Sequence, residues 1–67
     1  MKYLPSLRCR WLDEDQAKEQ GYRPFFGHCS IGEEWMLKNT ERDLRRAQRD
    51  YVAIYDIATE RAMIYIR

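Results

Sequence analysis

Residues 30–67 form the stretch that decides the fold, SIGEEWMLKNTERDLRRAQRDYVAIYDIATERAMIYIR. Ser30 opens a Ser-Ile-Gly-Glu capping box, in which the glutamate three residues later reaches back to the cap. A polar helix over 32–48 should follow it. Residues 51–57 and 61–67 alternate and are rich in tyrosine and isoleucine, a pattern typical of strands. We therefore predict one helix that runs into one hairpin.

The predicted main helix has one buried side and one basic side. Five residues at helical spacing form its buried stripe, namely Met36, Leu37, Thr40, Leu44 and Ala47. Glu41 should pair with Arg45, one turn later, on the exposed surface. A row that we call the arginine stripe recurs every three or four residues and consists of Arg42, Arg45, Arg46 and Arg49, with Lys38 one turn earlier. Trp35 lies off the buried stripe.

The register of the hairpin decides which side chains share a face. If Ile57 faces Arg61, one face is aliphatic and carries Val52, Ile54, Ala62, Ile64 and Ile66. The other face, which we call the tyrosine face, then carries Tyr51, Ala53, Tyr55, Met63 and Tyr65. A slip of one residue would mix the two sets. We expect the aliphatic face to pack on the helix and the tyrosine face to contact a partner or to cover a second, smaller core.

The first half of the chain predicts weaker elements. Residues 2–12 alternate as a strand, and Asp13 and Gln16 fit a capping box for a short helix over 13–20 that ends at Gly21. Residues 22–29, with Pro24, favour a loop. The predicted class is α+β, with the order β-α-α-β-β. A small antiparallel sheet of about three strands packs on one main helix, in a single domain over 1–67.

Composition and charge exclude several classes. The chain has 12 basic and 11 acidic residues and a net charge of +1, so its bulk charge predicts neither nucleic-acid nor membrane binding. The charge is uneven, since residues 13–19 sum to −3 and residues 42–49 to +3. No stretch resembles a signal peptide or a membrane span, so we expect a cytoplasmic protein with Cys9 and Cys29 reduced.

Residues that could carry chemistry are few. Cys9, His28 and Cys29 are the only soft metal ligands, fewer than the four of a structural zinc site, so we predict no metal and no cofactor. Cys29 stands before the main helix, where its thiol pKa could fall, and His28 is the only imidazole base. Adjacent side chains in an extended segment point apart. We therefore predict no catalytic residue and no enzyme.

Two surfaces remain for binding. The candidate partner-binding residues are Trp35, Arg42, Arg46, Arg49, Tyr51, Tyr55 and Tyr65. Tyrosine, tryptophan and arginine are typical of protein contact surfaces, so a protein partner is the leading expectation. The alternative is a nucleic-acid partner on the arginine stripe, which would gain support if Arg8 and Arg10 lay beside it. A third possibility is a homodimer through the tyrosine face or an open strand edge at Ile66.

The chain also resembles a known group in its layout. The runs QGYRP at 20–24 and EEWML at 33–37, followed by the closing hairpin, are similar to small accessory proteins of phages and prophages. Members that are understood are often inhibitors that dock on host defence or transcription proteins, anti-CRISPR proteins among them. The resemblance implies a binding protein without an active site, and it assigns no particular residue.

Overall fold

The computed structural model of the chain describes residues 7–67, except for the side chains of His28 and Ile31. The strands are β1 Trp11–Leu12, β2 Arg23–Cys29, β3 Tyr51–Asp56 and β4 Arg61–Ile66. The helices are α1 Glu14–Glu19 and α2 Glu34–Arg46, with a 3₁₀ turn, Ile31–Glu33, before α2. The α+β class is as predicted, but the order within this range is β-α-β-α-β-β.

The described strands form one mixed sheet in the order β1-β3-β4-β2. Strand β4 is antiparallel to both of its neighbours, whereas β1 is parallel to β3. The predicted antiparallel sheet of about three strands is therefore wrong in the number of strands and in the direction of one pairing. Only the last two residues of the predicted strand 2–12 belong to a strand in the described range, and residues 2–6 lie outside it.

The segment 22–29, predicted as a loop, forms the edge strand β2. Its pairing with β4 shifts register between Pro24 and Phe26 and again between Phe26 and Cys29. An edge strand tolerates Pro24 because no neighbour needs its missing N–H donor. Gly27 is required by packing, since a Cβ there would lie 2.6 Å from Cγ of Met63 on β4. Proline and glycine indicate here an irregular edge strand rather than a loop.

Both caps predicted for α1 are present. The main-chain N–H of Gln16 donates to Oδ1 of Asp13 at 2.7 Å, and the N–H of Asp13 donates to Oε1 of Gln16 at 3.4 Å. Gly21 has a φ of +89° and follows the helix as expected. The N–H of Tyr22 then donates to the carbonyl of Ala17 at 2.9 Å, which completes a Schellman motif.

The capping box predicted at Ser30 is present, but it caps the 3₁₀ turn Ile31–Glu33, and α2 runs over Glu34–Arg46 rather than over 32–48. At the start, the N–H and the hydroxyl of Ser30 both donate to Oε1 of Glu33, at 3.1 and 2.8 Å. These bonds lower the pKa of the Glu33 carboxyl. At the end, Gln48 has a φ of 57°, and the N–H of Arg49 donates to the carbonyl of Leu44 at 2.9 Å. A Schellman motif thus ends the helix before the predicted position.

The predicted register of the hairpin is wrong by one residue. Asp56, not Ile57, lies opposite Arg61, because the turn takes in four residues, 57–60. Oδ1 of Asp56 accepts from the N–H of Ala58 at 3.0 Å, an Asx turn that starts the connection one residue early. The two predicted faces are mixed as a result.

The sheet is packed on both faces, each by one helix. On the α2 side, the buried cluster consists of Cys29, Leu37, Leu44, Ala62, Ile64 and Ile66, with Tyr51 and Tyr55 packed against it. On the α1 side, it consists of Ala17, Tyr22, Val52, Ile54 and Tyr65. The strands β3 and β4 are central and buried on both faces, so apolar residues occupy both of their sides. The tyrosine face and the open edge at Ile66 therefore do not exist, because β4 lies between β3 and β2.

Candidate functional site

A strongly charged concave surface lies along α2. An open groove of about 390 Å³ is lined by Arg8, Lys38, Glu41, Arg42, Arg45 and Arg46. Four of these residues recur every three or four positions on α2, so their side chains share one exposed side of the helix. The fifth cation, Arg8, comes from the segment that precedes β1. We call this surface the basic groove.

Glu41 connects the Arg8 segment to α2. Its Oε2 accepts from the main-chain N–H of Arg8 at 2.7 Å and from the hydroxyl of Tyr51 at 2.8 Å. The side chain is only 6% exposed, so the predicted exposed pairing of Glu41 with Arg45 misplaced it. It takes a place in the buried stripe between Leu37 and Leu44, whereas Ala47, which was predicted for that stripe, is exposed.

The basic groove keeps a cationic surface despite this carboxylate. Glu41 is turned into hydrogen bonds with its own chain, while the four α2 cations and Arg8 are exposed. Burial, followed by the hydrogen bond to Glu41, raises the pKa of the Tyr51 hydroxyl. Burial and then the nearby charge of Glu41 raise the pKa of Cys9 to about 11. Both groups are therefore uncharged at neutral pH and add no charge to the groove.

The structure brings together three of the four residues of the predicted arginine stripe. Arg42 and Arg46 line the basic groove, as does Arg45. Arg49 follows the end of α2 and does not line it. Arg42 has Asp43 as a neighbour, with 3.7 Å between Nε and Oδ1, but both side chains are more than half exposed and such a pair is weak. Trp35, in the first turn of α2, is 61% exposed.

The three predicted tyrosine anchors belong to the core rather than to a contact surface. Tyr65 is 1% exposed, and its hydroxyl donates to Oε2 of Glu14 at 3.0 Å. The ring of Tyr55 packs edge-on to Trp11, with 6.5 Å between ring centroids, and its buried hydroxyl has no partner among the described residues. Tyr51 is half-buried against Glu41. The alternative of a second core under α1 is correct for Tyr65.

Of the two N-terminal arginines, only Arg8 lies beside the α2 cations. Arg10 instead donates from Nη2 to the hydroxyl of Tyr22 at 3.1 Å. That hydroxyl donates in turn to Oδ1 of Asp50 at 2.7 Å, and Nε of Arg67 donates to Oδ2 of Asp50 at 2.9 Å. This network ties the end of the chain to the end of α1. It holds the fold together rather than adding a cation to the groove.

The pattern in the sequence identified the cations of α2 but not Glu41. A carboxylate at this spacing from Leu37 and Leu44 falls on the buried side of the helix, which is the signal that could have found it.

The hypothesis of a lowered pKa at Cys29 is wrong, because burial, and then the nearby charge of Glu33, raise the pKa of this thiol. No cluster of three metal-ligating side chains occurs among the described residues. Over residues 7–67, neither helix is long and apolar enough to cross a membrane.

Comparison of the chain with protein-family models, with curated proteins and with solved structures found no match. The candidate site therefore rests on the geometry of the basic groove and on the residues that surround it.

Proposed function

We propose that this chain is a small non-enzymatic binding protein that docks on an acidic surface of a protein partner. The observation that carries the proposal is the convergence of Arg8 with the α2 cations around one open groove. Arginine forms two parallel hydrogen bonds to a carboxylate, so a cluster of guanidinium groups suits an acidic protein surface.

The exposed indole of Trp35 supports a protein partner in particular. It stands on the same helix as the basic groove, at 61% exposure. Tryptophan and arginine are the residues most enriched among those that dominate binding energy at protein interfaces. In the setting that the phage resemblance implies, the partner is a host defence or transcription protein, and the chain acts as its inhibitor in the cytoplasm.

The size of the groove also favours a protein over a long polyanion. The cations of α2 lie between Lys38 and Arg46, a span of about 12 Å along the helix axis. The net charge of the whole chain is only +1. Such a balanced protein lacks the extended positive field that draws proteins to nucleic acid without specific contacts.

A nucleic-acid partner is the second candidate, and the position of Arg8 favours it. A cation from a separate segment widens the positive surface beyond one helix, which is what contact with successive phosphates requires. This candidate predicts an affinity that falls steeply with salt, with a slope of about −0.9 for each phosphate contacted in duplex DNA.

The test is affinity capture from the native host with the tagged chain, with and without nuclease. Under the leading proposal, a protein is captured in both conditions, and the purified partner binds the Arg46→Glu variant at least about tenfold more weakly than the wild type. Arg23→Glu is the matched control, because Arg23 is exposed on β2, outside the groove, and should bind normally.

Two results would contradict the leading proposal. Capture that is lost after nuclease treatment would favour the nucleic-acid candidate. Equal weakening by Arg46→Glu and Arg23→Glu would show that overall charge, and not the basic groove, decides binding.

A further inference from the structure

A buried carboxylate on α2 contacts the main chain of Arg8 beside the basic groove. Residues 7–10 belong to no helix or strand. Leu7 packs against the α2-side cluster, and the N–H of Ala53 donates to the carbonyl of Arg10 at 3.0 Å, but neither of these contacts is made by Arg8 itself. The main-chain N–H of Arg8 donates to Oε2 of Glu41 at 2.7 Å. We propose that Glu41 is a positioning residue that holds Arg8 where it and the α2 arginines take a carboxylate of the partner between them. This inference rests on the proposed function.

Glu41 is suited to this task because it is itself rigidly held. It lies on the buried side of α2 together with Leu37 and Leu44. A buried carboxylate needs hydrogen bonds, since burial without them is costly. Tyr51 supplies the second bond to the same oxygen, at 2.8 Å, from the start of β3. Helix α2, strand β3 and the Arg8 segment are thus connected through one atom, Oε2 of Glu41.

A positioning role and a purely electrostatic role predict opposite effects on the affinity for an anion when Glu41 is replaced by an apolar residue. A negative charge beside an anion site opposes anion binding, so on electrostatics alone every neutral substitution of Glu41 should tighten binding. If Glu41 positions Arg8, only a substitution that keeps a hydrogen-bond acceptor preserves the site. Glu41→Gln keeps an oxygen acceptor at similar size, whereas Glu41→Leu and Glu41→Met keep the approximate volume without one.

The binding experiment uses a short poly-glutamate peptide as the probe and titrates it into the wild type and each variant. We expect Glu41→Gln to bind as tightly as the wild type or more tightly. Glu41→Leu, Glu41→Met and Arg8→Ala should each bind about tenfold more weakly, the loss of one charge-assisted hydrogen bond. The double variant Arg8→Ala/Glu41→Leu should be no weaker than Arg8→Ala, because both changes remove the same contact.

A second readout does not depend on binding. The main-chain amide of Arg8 should exchange its hydrogen slowly in the wild type and in Glu41→Gln, and faster in Glu41→Leu and Glu41→Met, with thermal unfolding as the control for folding. Rapid exchange of this amide in the wild type would overturn the positioning role whatever the variants do. So would tighter peptide binding by Glu41→Leu or Glu41→Met. If the wild type shows slow exchange but does not bind the peptide, the positioning contact stands and the proposed function fails.

Discussion

The two faces of the sheet are both buried, but they are packed by different means. On the α2 side, leucine and isoleucine side chains form most of the contact between helix and sheet. On the α1 side, the short helix contributes Ala17 as its only buried residue, and Tyr22 and Tyr65 pack there with aliphatic side chains of the sheet. The hydroxyls of Tyr22 and Tyr65 reach the carboxylates of Asp50 and Glu14, at 2.7 and 3.0 Å.

This difference shows how a tyrosine-rich strand can be misinterpreted. A phenol ring fills a gap that a short helix cannot fill, and its hydroxyl reaches a partner at the edge of the core. The same residue type is enriched at protein interfaces, so its presence alone does not separate core from contact surface. Here Trp35 on α2 is 61% exposed, whereas Tyr65 on β4 is 1% exposed.

The largest expected effect is a difference in the free energy of unfolding between variants of the buried Tyr65 and of the exposed Trp35. Tyr65→Ala should cost about 3–5 kcal/mol, because it leaves a large cavity in the core. That loss is comparable with the whole stability of a domain of this size, at about 5 kcal/mol. Trp35→Ala should change stability by less than about 0.5 kcal/mol. Urea unfolding followed by circular dichroism measures both.

A near-normal stability of Tyr65→Ala would break the comparison, because the α1 side would then not be a second core. A similar loss in Trp35→Ala would show that the indole packs on the fold and is not free for a partner.

A smaller effect tests the close packing of β2 against Met63 of β4, on the α1 side of the sheet. Gly27→Ala should cost about 1–3 kcal/mol, the range for an overpacked site. The new Cβ would lie 2.6 Å from Cγ and 3.1 Å from the main-chain Cα of Met63, so a side-chain rotation alone cannot relieve it. Gly32→Ala is the matched control, since a Cβ there has open space. Thermal midpoints that fall equally in both variants would refute this packing.

The smallest expected effect concerns the hydrogen bond from the Tyr22 hydroxyl to the Asp50 carboxylate, and it depends on pH. The hydrogen bond from Tyr22, followed by that from Arg67, lowers the pKa of Asp50 below its usual 3.8. Its contribution to stability is present above the pKa of the unfolded chain and is lost as the pH falls through the lower folded value. Asp50→Asn should therefore lower the thermal midpoint slightly at pH 7.

The difference in thermal midpoint between the wild type and Asp50→Asn should shrink as the pH falls from about 4, the ordinary pKa of an aspartate, through the lower pKa of the folded state. A difference that stays constant down to pH 2 would show that the carboxylate charge contributes nothing.

The sequence predicted the local features well, because their causes lie within a few residues. The Asp13 cap, the Gly21 end of α1, the Ser30 capping box before α2 and the cations of α2 are all in place. It failed in two places, only one of which involves distant segments. Whether 22–29 forms a strand depends on the edge that β4 offers, and the hairpin register depends on one Asx turn at Asp56.

Local chemistry alone thus determined the capping boxes at Asp13 and Ser30 and which side of α2 carries positive charge, since caps and helical spacing act over single turns. Tertiary structure decided which phenols are buried, that Glu41 faces inward, and that Arg8 joins the α2 cations. The physical reason is that a central strand is covered on both faces. Its own alternation therefore cannot tell which side meets which helix, and only the packing of the other elements settles it.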